Sequence, residues 1–590
     1  MAAPRIIVIG GGLAGLSAVI KIAEAGGTVD LFSIVPVKRS HSVCAQGGIN
    51  AAKNLKGEGD TTYKHFDDSI YGGDFLANQT PVKLMCEAAP AIIDLLDRMG
   101  VPFNRTPEGL LDFRRFGGTL YNRTAFAGAT TGQQLLYALD EQVRRYESEG
   151  KVKKYEGWEF LSAVIDSKGV ARGITALDLR TMELRSFPAG AVLLATGGIG
   201  AIFGKSTNSV VCTGSAQSAV FQQGVTYANG EFIQVHPTCI PGEDKLRLMS
   251  ESARGEGGRV WVPRTAGDKR LGRQIPEAER FYFLEEWYPK YGNLVPRDIA
   301  TRAIHKVVYE EGLGLDGQPM VYLDLTHIDR ATLDRKLGGI LDIYEKFVGD
   351  DPHEVPMKIF PGMHYTMGGV WVDFNQMTNI PGIYAIGECD YQYHGANRLG
   401  ANSLLSCIYA GFVAGPHALN YAKNLTAMEG DGGHAAEITR QAEINARLLK
   451  NEGEENPFKL WRELGDTMTK HATVIRYNKG LKQADEKIVE LLDRYKNVSL
   501  ADRSQWANTS FAFARQLKNM LELARVIAQG AMLRDESRGA HYKPDFPERN
   551  DEQFLKTTKA SYTDSGPRFE FEEVDTQFIQ PRRRSYDAAN

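Results

Sequence analysis

Five short segments of the sequence combine histidine, arginine, serine and glutamate in patterns that could bind and protonate an anionic substrate. They are residues 236–238, 250–258, 296–298, 364–369 and 394–404. The guanidinium of Arg398 can hold a carboxylate through two parallel hydrogen bonds. His236, His364 and Ser250 can donate to a carboxylate without adding a flexible charge. Each histidine alone is more often a hydrogen-bonded structural residue.

Glu251 and Arg254 lie three residues apart, which places them on one face if the segment is helical. In a buried site, such a pair could pass a proton between a reacting group and solvent. On the surface, the same pair would be an ion pair worth about 0–1 kcal/mol. Spacing alone leaves both interpretations open.

A glycine-rich motif follows the first predicted strand and opens the first predicted helix. Its residues are Gly10, Gly11, Gly12, Leu13, Ala14 and Gly15. Gly10 permits the tight turn, Gly12 lets backbone N–H groups approach a pyrophosphate, and Gly15 packs the helix on the strand. In this context the motif predicts a dinucleotide site rather than a turn without ligand. An acidic ribose ligand is expected at the end of the second strand, where Ser33 stands; Asp30 lies inside that strand. This departure weakens the case for NAD and leaves FAD with a variant ribose contact.

A second small, polar loop follows the second strand and ends in two glycines. Its residues are Arg39, Ser40, His41, Ser42, Val43, Cys44, Ala45, Gln46, Gly47 and Gly48. A histidine in such a loop is usually a surface or hydrogen-bonding residue. A third glycine-rich segment, 204–206, resembles the end of a phosphate loop, but Ile199 stands where the first glycine is required, so we discount it.

The composition of the 590 residues is that of an ordinary globular protein, with 43% hydrophobic and 24% charged residues. The net charge is −4, so nothing in it indicates nucleic acid as a partner. No two of the six cysteines have C-x-x-C spacing, which argues against zinc or iron–sulfur ligation within this chain, and no metal site is predicted. No apolar run of ~20 residues predicts a membrane span. The basic run 582–584 is interpreted as a solvated terminus.

The elements that must position these residues predict an α/β fold with a Rossmann-like FAD-binding domain. Residues 5–9, 14–25 and 28–32 read as strand, helix and strand, and 191–195 and 383–386 read as later strands of the same sheet. We therefore expect a discontinuous FAD-binding domain, an inserted α+β capping domain, a helical domain and an irregular C-terminal segment. Their expected ranges are, in that order, 1–240 with 351–435, 241–350, 436–535 and 536–590.

The loop around His41 resembles the one that carries the covalently flavinylated histidine in flavoprotein subunits of succinate dehydrogenase and fumarate reductase. The five segments named first match the same family, and the resemblance extends from about residue 5 to residue 555. It implies FAD bound covalently through His41, and a four-carbon dicarboxylate held by Arg398, His236, His364 and Ser250. It assigns the proton donor to Arg297, with Glu251 and Arg254 relaying the proton to solvent.

The resemblance also implies which residues surround the flavin. These are Gly10, Gly12, Leu13, Ala14, Gly15, Ser33, Ser40, His41, Ser42, Gly47, Gly48, Ala195, Gly197, Glu388, Ser403 and Leu404. Glu388 would accept hydrogen bonds from the ribityl chain, and the amides of Ser403 and Leu404 would face the isoalloxazine ring. Ser215 stands where the family often has aspartate, which puts one flavin contact in doubt.

The same resemblance implies partner subunits. An iron–sulfur protein would take the electrons, and a membrane anchor, of the cytochrome b type in the bacterial branch, would hold the quinone site. The protein would then be peripheral to the cytoplasmic membrane, on its cytoplasmic side. Three alternatives to succinate oxidation stay open: quinol:fumarate reduction by the same residues, L-aspartate oxidation, against which His41 argues, and a flavin-bound scaffold without turnover.

Overall fold

The computed structural model describes residues 4–240, 242, 245–426 and 431–586. In chain order the strands are β1 Arg5–Ile9, β2 Thr28–Ser33, β3 Ile49–Asn50, β4 Phe113–Arg114, β5 Thr124–Ala125, β6 Val152–Glu156, β7 Trp158–Ile165, β8 Ala171–Asp178, β9 Leu184–Pro188, β10 Ala191–Leu194, β11 Tyr227–Ala228, β12 Ile233–Ile240, β13 Arg247–Leu248, β14 Arg259–Pro263, β15 Arg280–Phe281, β16 Val321–Asp324, β17 Met357–Thr366, β18 Gly369–Val370, β19 Ile383–Ala385, β20 Lys556–Ser561 and β21 Arg568–Glu573. The α-helices are α1 Leu13–Glu24, α2 Thr62–Gly72, α3 Gln79–Arg98, α4 Thr131–Ser148, α5 Ser215–Gln222, α6 Ser252–Gly255, α7 Phe283–Trp287, α8 Arg297–His305, α9 Arg330–Val348, α10 Asn402–Lys423, α11 His434–Lys450, α12 Pro457–His471, α13 Asn478–Tyr495, α14 Thr509–Leu533 and α15 Asp551–Phe554.

A five-stranded parallel sheet with the order β19-β10-β1-β2-β6 forms the nucleotide-binding part of the fold. The apolar run of β1 is buried on both faces, as a central parallel strand requires. Helix α1 connects β1 to β2 and packs on α10, which begins far along the chain. The sheet is therefore assembled from distant segments, as the sequence predicted.

A second, six-stranded sheet with the order β13-β12-β17-β16-β14-β15 lies in the inserted region. We call it the cap sheet. Its strands β12 and β17 pair antiparallel, with His236 opposite Gly362. Strand β12 lies before residue 241, and β17 lies after residue 350. The cap sheet and helices α8 and α9 bury a hydrophobic core of their own. The sheet thus extends beyond the range 241–350 on both sides.

Helices α11 to α14 follow, where the sequence predicted a helical region. On α13 the residues Ala484, Ile488 and Leu491 are buried, as their spacing predicts. Ile488 and Leu491 belong to one core with residues of the nucleotide-binding region, so these helices pack directly on it. Among the described residues no helix combines the length and apolar character needed to cross a bilayer.

The C-terminal segment is less irregular than the sequence suggested. Strands β20 and β21 form a hairpin whose first strand pairs with β11, in the order β18-β11-β20-β21. Residues 574–586, which we call the C-terminal strap, then run along α2 and α3 to the cap. Gln79 of α3 is bonded to the backbone of residue 579, and Tyr586 is buried in the cap core.

The interpretation of residues 582–584 as a solvated terminus was wrong for Arg584. Arg582 and Arg583 are exposed, but the side chain of Arg584 is 6% exposed and its Nη2 donates to Asp298 Oδ1 over 3.0 Å. Asp298 is the residue after Arg297 on α8. Burial would raise the pKa of Asp298, but the charge of Arg584 outweighs it and holds that pKa below its usual range. A pairing 286 residues apart leaves no local pattern in the sequence.

Replacing Arg584 with glutamine is expected to destabilise the protein by up to about 3–5 kcal/mol, because it removes the buried ion-pair partner of Asp298 and leaves that carboxylate only its longer contact with Arg302. Urea unfolding of the wild type and the variant measures the difference. In the wild type the pair contributes stability at neutral pH that is lost only as the pH falls through the lowered pKa of Asp298. In the variant the carboxyl is protonated more easily, so the difference between the two free energies of unfolding should narrow as the pH falls.

The matched control is Arg582→Gln. Arg582 lies on the same strap, and its replacement removes a solvent-exposed ion pair with Asp67 of α2. That change should cost no more than about 1 kcal/mol. Equal losses in the two variants would contradict the special role of Arg584.

Candidate active site

A cavity of about 520 Å³ lies between the carboxyl ends of the parallel strands and the cap sheet. Its wall contains every residue predicted to bind cofactor or substrate or to move a proton, with two exceptions, Gly15 and Arg254. Gly15 lies beneath the glycine-rich turn, where an added Cβ would come within 1.9 Å of Gly10 O. Arg254 lies behind Glu251. The fold therefore brings the predicted residues to one place.

The glycine-rich turn has the form that a dinucleotide phosphate requires. Gly10 has φ 114°, and its N–H donates to Phe32 O on β2. An added Cβ at Gly10 would meet Ala195 O at 2.0 Å, so the turn is held tightly against β10. Helix α1 begins directly after it, so its first N–H groups lie at the cavity. The N–H of Leu13 is bonded to Ser42 Oγ over 3.2 Å, which joins the turn to the His41 loop.

Further groups along the wall fit an FAD molecule. The hydroxyl group of Ser40 is buried and has no hydrogen-bond partner among the described residues, so it can bond to a ligand. Glu388 Oε1 accepts a hydrogen bond from the Thr366 N–H, and burial raises the pKa of Glu388 to about 7. Helix α10 begins beside the cavity after Ala401, whose φ of 63° is unusual for a residue other than glycine.

Ser33 and Ser403, two more of the predicted cofactor residues, both line the cavity. Ser33 closes β2, and its carbonyl accepts from the Gly157 N–H. Ser403 lies in the first turn of α10.

His41 lies in a short 3₁₀ turn and is held in one orientation. Its Nδ1 accepts a hydrogen bond from the Ser209 N–H over 3.1 Å, and Asn208 Nδ2 lies 3.3 Å from its Nε2. Burial, with a smaller contribution from Lys245, lowers the pKa of His41 to about 4. The imidazole is therefore neutral at physiological pH, as a nucleophilic nitrogen must be.

Two arginines and a glutamate form a buried chain at the other side of the cavity. Nε and Nη2 of Arg297 donate to Glu251 Oε2 over 3.0 and 2.8 Å. Oε1 of the same carboxylate accepts from Arg254 Nη2 over 2.7 Å. Burial would raise the pKa of Glu251, but the two guanidinium groups outweigh it and hold that pKa below its usual range. The pair of Glu251 and Arg254 is thus not a surface ion pair.

Two donors next to this chain have no partner in the part of the protein that the structure describes. His236 Nε2 and Arg398 Nε are buried and unpaired among the described residues. The rings of His236 and His364 are 5.1 Å apart, and the guanidinium of Arg398 lies 4.3 Å from the centre of the Tyr365 ring. Burial, followed by the nearby charge of Arg297, lowers the pKa of Arg398 to about 9. An anion in this space would satisfy the donors and relieve the repulsion between the two arginines.

Two family descriptions match the chain: residues 5–404 match "FAD binding domain", and residues 461–586 match "Fumarate reductase flavoprotein C-term". The succinate dehydrogenase flavoprotein subunit of Bacillus subtilis is 61% identical over 591 residues, which cover 99% of each chain. The chain belongs to the succinate dehydrogenase and fumarate reductase flavoprotein family. The fumarate reductase flavoprotein subunit of Escherichia coli is 34% identical, with 98% of this chain and 95% of that one covered.

Solved structures agree with this flavoprotein assignment. A mutant of the Escherichia coli quinol fumarate reductase superposes with a TM-score of 0.91 at 32% identity, covering 100% of this chain and 99% of that one. Sdh1 of Mycobacterium smegmatis gives 0.82 at 29% identity, covering 98% and 96%. The predicted fold class, the FAD cofactor and the activity of an FAD-dependent oxidoreductase of this family are confirmed.

The flavoprotein site also contains residues that the sequence analysis missed. Gln234 accepts from Arg297 Nη1 over 2.9 Å and donates to the backbone oxygen of Arg398 over the same distance, so it joins the two arginines. Its position two residues before His236 on β12 puts both on one face of the strand, a signal that could have revealed it. Thr207, whose hydroxyl lies 2.6 Å from His364 Nδ1, has no comparable signal.

Proposed function

We propose that this protein is the catalytic flavoprotein subunit of a succinate:quinone oxidoreductase, with FAD attached covalently to His41. One observation carries the proposal: a buried chain of Arg297, Glu251 and Arg254 ends beside unpaired donors in the same cavity as the glycine-rich turn. Fumarate reduction by the same residues is the second candidate, which relatives named fumarate reductase favour.

The dicarboxylate would be bound by the unpaired donors. Arg398 would hold one carboxylate as a fork, and His236, His364 and Ser250 would donate to the carboxylate oxygens. The contact between Thr207 and His364 Nδ1 fixes the ring, so His364 Nε2 remains for the substrate. Since cavity walls exclude water, these charge-assisted hydrogen bonds would be stronger than in solution.

Proton transfer would use the arginine chain. Bound FAD supplies the acceptor or donor of a hydride at one carbon of the substrate. Arg297 would give or take the proton at the neighbouring carbon, and its bonds to Glu251 Oε2 and Gln234 Oε1 hold the guanidinium in place. Glu251 and Arg254 would then return the proton from or to solvent. Arginine is normally always protonated, so Arg297 would act as an acid whose proton is replaced through the Glu251 carboxylate bonded to it.

The cofactor would lie along the wall that the glycine-rich turn, the His41 loop and the start of α10 provide. We propose the FAD-binding domain as residues 1–240 and 351–435, with 241–350 as a cap that covers the flavin. Strands β12 and β17 of the cap sheet connect the two domains, since they lie in the FAD-binding ranges. Residues 436–535 would form the helical domain and 536–590 the C-terminal segment.

The electrons would leave through partner subunits. The Bacillus subtilis relative is named as one subunit of succinate dehydrogenase, and this chain matches it over its length. We infer that an iron–sulfur subunit accepts the electrons here, and that a membrane anchor, of the cytochrome b type, places the complex on the cytoplasmic side of the cytoplasmic membrane.

Purification of the native complex from membranes tests these points together. Succinate should reduce an artificial electron-accepting dye, and the flavin should remain with the protein pellet after acid precipitation. Mass spectrometry of the pure complex should find an iron–sulfur protein and a membrane protein. Failure of succinate and fumarate to turn over would exclude the proposed reaction, and flavin in the acid supernatant would exclude the bond to His41.

A further inference from the structure

We propose that Gly117 is a positioning residue for proton transfer. Because Gly117 and Gly400 have no side chains, they leave the space in which the Glu251 carboxylate lies. The inference rests on the proposed role of Glu251 as the proton carrier between Arg297 and Arg254. It concerns a residue that touches neither substrate nor flavin in that mechanism.

The Glu251 carboxylate has little freedom to move. Its side chain is 1% exposed, and both oxygens accept hydrogen bonds from guanidinium groups: Oε2 from Arg297 and Oε1 from Arg254. A shift of either oxygen would break one of these bonds in a buried place. Proton transfer through Glu251 therefore depends on the position of its carboxylate, which the surrounding backbone limits.

Two glycines from distant segments enclose this carboxylate. A Cβ added to Gly117 would lie 2.1 Å from Glu251 Oε1 and 3.0 Å from its Cδ. A Cβ added to Gly400 would lie 2.9 Å from Oε2 and equally close to the Phe116 ring. Each carboxylate oxygen thus occupies space that a side chain at one of these glycines would need.

The requirement at Gly117 is for space and not for backbone conformation. Its φ lies outside the positive range, so alanine can adopt the same backbone, whereas the next residue, Gly118, has φ 89°. Apart from Glu251, the nearest atom to the added methyl group would be the carbonyl oxygen of residue 295 at 3.4 Å, an ordinary contact. Gly117→Ala is therefore a probe of the Glu251 position alone.

The methyl group would press on Oε1, the oxygen bonded to Arg254, so that the rigid carboxylate would have to turn or shift as a whole. We expect the bond between Glu251 and Arg254 to break while the unpaired donors at His236 and Arg398 stay in place. Proton exchange with solvent would then become slow, although the substrate would still bind.

Steady-state kinetics of Gly117→Ala in the purified complex test this. We expect kcat for succinate oxidation and fumarate reduction to fall by about 10²-fold, the usual contribution of a positioned acid. The inhibition constant of malonate, a dicarboxylate that does not react, should change by less than about twofold. The solvent deuterium isotope effect on kcat should increase, which a merely destabilised protein would not show. Unchanged kcat, or malonate binding lost in proportion to kcat, would overturn the proposal.

Two further variants make the test specific. Gly338→Ala, in α9, adds a methyl group with no atom within 4 Å and should behave as the wild type. Glu251→Asp shortens the carboxylate side chain, so its cost in kcat should be smaller in the Gly117→Ala background than in the wild type. Additive losses would count against the inference. Absence of turnover in the wild type would instead refute the proposed function.

Discussion

Replacing Arg297 with lysine is expected to lower turnover in both directions by about 10²–10⁴-fold. Arg297 bonds to Glu251 through Nε and Nη2 and to Gln234 through Nη1, so three nitrogens of one rigid plane hold it in place. A lysine ammonium is a point charge on a flexible stem and cannot satisfy all three bonds in that geometry. The proton donor would be misplaced even though the positive charge is kept.

Dicarboxylate affinity should survive the same change, because Arg398, His236 and His364 remain. The inhibition constant of malonate and kcat, measured on the same purified complex, separate binding from proton transfer. Arg302→Lys is the matched control, since Arg302 lies five residues later on α8 and is partly exposed. Near-normal turnover in Arg297→Lys would remove Arg297 from the role of acid.

Replacing His41 with serine is expected to abolish succinate oxidation while part of the fumarate reduction remains. The glycine-rich turn and the start of α10 do not involve His41, so FAD should still bind, without a covalent bond. Loss of the bond to an electron-withdrawing imidazole should lower the flavin potential, and succinate would then no longer be a sufficient reductant. Fumarate reduction needs a strong reductant and is affected less.

Acid precipitation followed by absorbance of pellet and supernatant shows where the flavin is, and assays in both directions show which reaction is lost. His417→Ser, on the exposed face of α10, is the control and should keep both the bond and the activity. Equal loss of both directions in His41→Ser, with FAD still bound, would contradict this explanation.

Local patterns in the sequence predicted the parts of the site that one segment can encode. Steric limits within a dozen residues make the turn at Gly10 and Gly15 predictable, together with the strand before it and the helix after it. The same holds for the buried face of α13. The pairing of Arg297 with Glu251, 46 residues apart, could be proposed from the sequence only through the resemblance to a known family.

Other features could not be predicted because distant segments create them. Thr207 meets His364 only when a loop and β17 pack together, and Gly117 meets Glu251 in the same way. Arg584 belongs to a run of three arginines that is typical of a solvated tail. Only its contact with Asp298, at the start of α8, changes that interpretation. The charge of an arginine in the sequence does not indicate which distant acidic residue it pairs with.

The C-terminal strap has a consequence for the order of events during translation. Asp298 leaves the ribosome 286 residues before Arg584 does. While the helical region and the β20–β21 hairpin are synthesised, the helix that carries Arg297 therefore has only the longer contact of Arg302 to balance Asp298. A message cut short before codon 584 would encode every group proposed to touch substrate. Its product would nevertheless lack the ion pair between Arg584 and Asp298 that fixes α8, so a nonsense change at or shortly before codon 584 should behave like a defect of the active site.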